Sequence, residues 1–198
     1  ARTETLGGVE LALLESGRDG PRAVVLLHGA RYSRAEWVEL GTLARLAARG
    51  LRVLALDWPG SGASPAAASE PDPGAFLAEL LSAASIEHAV LVGPSRGGGQ
   101  ALALAARADA RVAGLVLIAP AGATTYRPPA EYAPPTLLLW GADDDRVPLS
   151  AGEALAARLP GARLEVFPAA GHACYLEQPE RFHGLLEAFL GELGWLSK

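Results

Sequence analysis

The chain has 198 residues and a formal net charge of −5, from 17 Lys and Arg against 22 Asp and Glu; 50% of it is hydrophobic and 20% charged. That length and balance imply one folded domain over residues 1–198 and exclude global disorder. Neither sign is gathered into a long run, which excludes the basic track that binds nucleic acid and the polybasic anchor used at membrane surfaces.

In chain order, short apolar runs alternate with helix-like stretches. The expected strands are 9–14, 23–27, 52–56, 89–92, 114–118, 136–140 and 163–167. Several are continuous apolar runs, the pattern of central parallel strands covered on both faces. A turn signal, Ser16-Gly17-Arg18-Asp19-Gly20-Pro21, suggests an opening antiparallel hairpin. Between the strands, helices are expected at 35–49, 73–84, 97–107, 149–158 and 180–193. The fold class is therefore α/β: an open, mostly parallel, doubly wound sheet with right-handed crossovers. The polar stretch 59–73 reads as a surface loop, and 120–135 is long enough for one short helix but not for a cap domain.

The segment Ala89-Val90-Leu91-Val92-Gly93-Pro94-Ser95-Arg96-Gly97-Gly98 carries G-x-S-x-G between an expected strand and an expected helix. A serine in such a turn projects from the carboxyl edge of the sheet, and the Arg96 peptide N–H at the helix start can face a developing oxyanion. The simpler reading makes Ser95 a helix cap, which leaves its partners unexplained. A serine hydroxyl needs a base, and His172, after the last expected strand, can bend over the same edge. Three aspartates follow Trp140-Gly141; Asp144 is chosen as the acid that orients His172, with Asp143 its rival and the others solvated turn residues. Serine, acid and histidine then occur in the order of the nucleophile-elbow enzymes.

His28-Gly29-Ala30 marks another edge loop, with the Ala30 N–H as the second oxyanion donor and His28 as a loop-fixing ring. His88 and His183 are assigned to packing or hydrogen bonding. Asp57, in Asp57-Trp58-Pro59-Gly60-Ser61-Gly62, is expected to satisfy turn N–H groups. Neither GxxxxGK[ST] nor GxGxxG occurs where nucleotide binding would require it. Arg31, Tyr32, Trp58, Tyr126 and Cys174 are the candidate substrate contacts. Cys174, the only cysteine, cannot form an intrachain disulfide or a multi-cysteine metal site, so a reducing, cytoplasmic setting is expected. No metal ligand set is assigned. Residues 1–16 lack the basic and apolar regions of a leader, although a trimmed leader would leave no trace.

Taken together, GPSRGG, HGA, DWPGSGAS, WGADDDRVP and AAGH follow the family order of the α/β-hydrolase superfamily, which the chain resembles over nearly its whole length. Within it, LLHGARYSRAEWVELGTLARLAARG and AAGHACYLEQPERFHGLLEAFL resemble the small subgroup related to the CCG1-interacting factor B protein. The resemblance implies little or no cap and a Ser95–Asp144–His172 triad that hydrolyses small activated acyl esters. It also implies an alternative activity, removal of acetyl from protein lysine with transfer to coenzyme A. Arg96 departs from the smaller or uncharged residue common after the nucleophile, placing a guanidinium where it can reshape the acyl pocket or meet an anionic substrate.

Small-ester hydrolysis through an acyl-enzyme is the leading expectation, with a small acyl ester as the partner and no cofactor. Coenzyme A enters only as the acceptor in the alternative. A third reading is a non-catalytic binding protein on a hydrolase scaffold. No particular protein partner is indicated.

Overall fold

Alternate residues of the apolar runs part to opposite faces of one sheet. In β3 (Arg22–Leu27), Ala23, Val25 and Leu27 enter one core while Val24 and Leu26 enter the other. The computed structural model describes residues 2–6 and 8–196. Its other strands are β1 (Arg2–Leu6), β2 (Val9–Ser16), β4 (Arg52–Leu56), β5 (His88–Pro94), β6 (Val112–Ile118), β7 (Thr136–Gly141) and β8 (Arg163–Phe167). They run in the order β1-β2-β4-β3-β5-β6-β7-β8. From β4 to β8 every pairing is parallel, and β1–β2 and β2–β4 are antiparallel. The sheet is mixed and mostly parallel, with no large cap insertion.

Helices cover both faces. α3 (Pro73–Ala83), α4 (Arg96–Ala105) and α5 (Leu149–Ala156) bury Leu77, Leu104 and Leu155 in one layer. α1 (Ala35–Glu39), α2 (Thr42–Ala48), α6 (Cys174–Glu177) and α7 (Pro179–Glu192) bury Trp37, Leu46, Tyr175 and Phe182 in the other. Fully burying an aliphatic or Phe side chain of this kind is worth about 1.5–3 kcal/mol against leaving it exposed, before the entropy of ordering it is subtracted.

Two expectations are corrected, and one strand is added. The 16–21 turn does not close a hairpin, because β4 lies between β2 and β3 and β2 instead pairs with β1 and β4. Turn residues announce a change of direction but carry no information about which strand comes to lie alongside. The expected helix 35–49 is two helices, broken where Gly41 takes the left-handed φ of 80° at the start of α2. β1 was not anticipated: among its described side chains, Thr3 to Leu6, only Leu6 is buried, as suits a polar edge strand.

Local capping places the remaining elements. Asp72 accepts a hydrogen bond from the Ala75 N–H, with Pro73 at the first helical position of α3. The segment 121–135 forms turns without a helix. Because β3, β5, β7 and β8 are parallel, the loops leaving all four emerge at one edge of the sheet, where ligands of open α/β sheets bind.

Candidate active site

The turn from β5 into α4 forces Ser95 to φ 48°, ψ −113°, a left-handed conformation that is unfavourable for a residue with a Cβ. It is held there by three backbone hydrogen bonds. Ser95 N–H donates to Ile118 O at 2.8 Å, and Ser95 O accepts from Gly99 N–H at 2.9 Å and Ala121 N–H at 2.8 Å. The side chain makes no capping hydrogen bond to α4, so the helix-cap role is not what occupies Ser95. The two motif glycines are required by close approach. A Cβ on Gly93 would stand 2.5 Å from the Gly97 carbonyl carbon, and one on Gly97 2.5 Å from Leu27 O.

The loop after β7 carries the acid. Asp144 is buried, whereas Asp143 and Asp145 are exposed. One Asp144 oxygen accepts the Arg146 and Val147 N–H groups at 2.9 Å each, and the other lies 2.8 Å from His172 Nδ1. With the backbone donors on Oδ1, Oδ2 is free to take the imidazole N–H, which fixes Nε2 as the ring's basic nitrogen. His172 follows β8 and shares a cleft of about 200 Å³ with Ser95, Ala30, Arg31, Tyr32 and Arg146. A hydroxyl, an imidazole backed by a carboxylate, and a helix N-terminus at one cleft are the parts of a nucleophilic acyl-transfer site.

The oxyanion-loop residues are fixed from behind. Trp58 N–H donates to His28 Nε2 at 3.0 Å, so Nδ1 carries the proton and donates to Gly29 O at 2.7 Å. Burial pushes the His28 pKa down and keeps the ring neutral, which fits the loop-fixing role. Glu36 was not anticipated. Its buried carboxylate accepts Gly29 N–H at 3.3 Å through one oxygen and Tyr175 O–H at 2.7 Å through the other. It thus ties the loop after β3 to the segment that follows His172. Burial pushes its pKa up to about 7. Nothing in the sequence separates a buried Glu36 from the exposed Glu39 three residues on, because both sit on the same short helix.

Asp57 behaves as expected of a loop-holding carboxylate, accepting Arg34 N–H, Ala63 N–H and the Arg34 guanidinium. Of the substrate-contact candidates, Arg31 and Tyr32 line the cleft and three others do not. Trp58 is buried against Phe76 and donates to Glu70 from its indole; Tyr126 is half-buried against the edge of the same core. Cys174 is fully buried in the opposite core, its thiol pKa pushed up to about 12 by burial, so it is poor in thiolate. Large or apolar side chains near a motif are drawn into the core first. The Arg96 side chain leaves the cleft to donate to Ser61 Oγ at 2.9 Å, while its backbone N–H remains at the first position of α4, without an intrahelical acceptor. A larger recess of about 280 Å³ at the opposite sheet edge includes Arg18, Leu51 and Trp195 and contains no serine, histidine or cysteine.

The alpha/beta hydrolase fold family matches residues 22–132, more than half of the chain, and a second alpha/beta hydrolase family matches residues 121–185. The chain belongs to the alpha/beta-hydrolase family. This hydrolase is 40% identical over 179 residues to the Rattus norvegicus protein named "Putative protein-lysine deacylase ABHD14B", covering 86% of this chain and 84% of that one. It superposes on a crystal structure described as a predicted CIB-like hydrolase from Thermoplasma acidophilum with a TM-score of 0.85, at 25% identity over 96% of each chain. An esterase from Exiguobacterium antarcticum shares the fold, with a TM-score of 0.82 at 19% identity, covering 96% of this chain and 98% of that one. The chain is therefore a serine-hydrolase-fold enzyme close to the small capless CIB-like hydrolases and related to ABHD14A and ABHD14B. Among the described residues no helix is long and apolar enough to cross a membrane.

Proposed function

We propose that the hydrolase removes short acyl groups from lysine side chains through a Ser95 acyl-enzyme, and cleaves small acyl esters by the same steps. The observation that carries this reading is the 2.8 Å contact of His172 Nδ1 with the buried Asp144, at a cleft that also holds Ser95 on its left-handed turn. Ser95 Oγ attacks the acyl carbonyl as His172 Nε2 takes its proton, while Asp144 stabilises the imidazolium. The Ala30 and Arg96 N–H groups receive the oxyanion. The C–N bond then breaks and the proton passes from His172 to the departing lysine amine.

Water, deprotonated by His172, attacks the acyl-serine and releases the carboxylic acid and free Ser95. A coenzyme A thiol in place of water would give an acyl thioester with the same proton traffic. The lysine reading draws support from the name of the 40% identical relative, and the ester reading from the esterases that share the fold. The hydrolytic steps call on no metal or organic cofactor, and coenzyme A enters only as the alternative acyl acceptor.

The test is mass spectrometry of an acetyl-lysine peptide incubated with the enzyme, with and without coenzyme A, beside a small aryl acetate. Deacylation of the peptide is expected, at least about 10³-fold slower in Ser95→Ala. Acetyl-coenzyme A as the product would identify the thiol as acceptor. Ester turnover with an untouched peptide would reduce the function to esterase, and unchanged rates in Ser95→Ala would overturn the mechanism.

A further inference from the structure

The ionic lining of the Ser95 cleft is unusual for a chain of net charge −5. Two exposed arginines, Arg31 and Arg146, are among its lining residues, and no aspartate or glutamate is. Asp144 lies behind His172 with both oxygens engaged. Elsewhere in the molecule guanidiniums are generally spoken for. Arg34 pairs with Asp57, Arg45 with Glu180 and Glu187, Arg52 with Glu15, and Arg111 with Asp109. Among the described residues, neither the Arg31 nor the Arg146 guanidinium has an ion pair or a side-chain hydrogen bond. That holds although Asp145 adjoins Arg146 in sequence and Glu39 lines the shallow depression beside Arg31.

Both arginines are rooted in the reacting apparatus. Arg31 follows Ala30 in a turn closed by Tyr32 N–H on Gly29 O at 3.1 Å. Arg146 is two residues past Asp144 and anchored by its own N–H on that carboxylate. Each side chain therefore starts from a fixed backbone beside a group that the chemistry uses.

We propose that Arg31 and Arg146 bind a carboxylate at the far end of the acyl group, so that the preferred donors are lysines carrying dicarboxylic half-amides such as succinyl. This rests on the acyl-transfer reading above and names its substrate class. A guanidinium receives a carboxylate through paired N–H donors, and two arginines lining one cleft that has no lining carboxylate leave that capacity unfilled. A phosphate on an acceptor molecule offers the same chemistry. The acyl chain is the assigned source because both arginines line the small space around Ser95 itself. The bonds made and broken at Ser95 are unchanged, and the arginines hold only the distal anion.

The experiment compares one peptide carrying succinyl-lysine or butyryl-lysine, whose four-carbon acyl groups end in carboxylate or methyl. The expected result is a kcat/KM ratio of about tenfold or more in favour of succinyl, equivalent to about 1.4 kcal/mol. That ratio should fall toward one in Arg31→Gln and Arg146→Gln, and below one in Arg146→Glu. A ratio of one or less in the native enzyme, with butyryl turned over, overturns the proposal while leaving the acyl-transfer reading intact.

Calorimetric titration of Ser95→Ala with both peptides gives a second answer that needs no turnover. Tighter binding of the succinyl peptide supports the proposal even if lysine deacylation fails, and equal affinities overturn it. Protection by inorganic phosphate but not by succinate, with a ratio of one, assigns the anion to an acceptor and also overturns it.

Discussion

Glu36 shows how one buried side chain couples the site to stability. Its two acceptor oxygens hold Gly29 and Tyr175, so Glu36→Ala strands a backbone N–H and a phenol. The expected cost is about 1–3 kcal/mol for each group left unpaired, read from denaturant unfolding. Acylation of Ser95 by an activated ester should slow as the Gly29–Ala30 loop loosens. Glu36→Gln keeps an acceptor for Gly29 and should restore most of that rate. Because the folded pKa is raised to about 7 from 4.5, the folded state holds the proton more tightly than the unfolded chain does. This contribution is complete below the unfolded value and is lost as pH rises through about 7. The stability of Glu36→Gln relative to the native protein should therefore increase between pH 5 and pH 8, by up to a few kcal/mol. A flat difference would mean that the carboxyl titrates normally. His28, lowered by burial, works in the other direction, but it is present in both proteins and cancels from the comparison.

At the scale of the element, the junction of α4 with β3 and β5 decides where the nucleophile stands. Gly97 has no room for a Cβ against Leu27 O and His28 O, both of them backbone atoms that cannot swing aside. Gly97→Ala should push α4 off the sheet, cost about 1–3 kcal/mol, and cut Ser95 labelling by a fluorophosphonate far more than it lowers the melting temperature. Equal labelling by the variant would show that the helix can be displaced without moving the elbow. The same close packing explains why the glycines around Ser95 were legible in the sequence: a strand, a tight turn and a helix over ten residues admit few arrangements. The break between α1 and α2 was not legible. Gly41 sits inside a stretch whose apolar periodicity continues on either side, with Trp37 and Leu46 buried against the same core. Periodicity records which face is buried, and two short helices can satisfy it as well as one.

For the whole molecule, the contrast between a net-negative chain and a cleft lined only by positive charge should appear in the salt dependence. Raising ionic strength from about 0.01 M to about 1 M shortens the Debye length from about 30 Å to about 3 Å. Capture of a succinyl substrate should weaken several-fold over that range, while turnover of the butyryl substrate changes little. Parallel salt profiles for the two peptides would mean that the arginines exert no selective field. The two cores on either face of the sheet supply the rigid frame on which that field is fixed, and the cleft sits at their shared carboxyl edge.

The amino-acid order by itself determined the α/β class, the strands at 52–56 and 163–167 and the elbow around Ser95, and it narrowed the acid before His172 to Asp144 with Asp143 as rival, which burial and the contact with His172 then separated. Each of these is written in local terms: a run of apolar residues, a glycine-flanked serine, a carboxylate after a strand. Only the tertiary structure decided that β4 separates β2 from β3, that Glu36 braces Gly29 and Tyr175, and that Trp58, Tyr126 and Cys174 pack elsewhere while Arg146 joins Arg31 at the cleft. Those outcomes depend on which segments meet in the folded chain, in some cases at long range, as Glu36 and Tyr175 do at a separation of 139. Local pattern cannot encode them, because burial and partnership are properties of the assembled neighbours rather than of the residue that is buried.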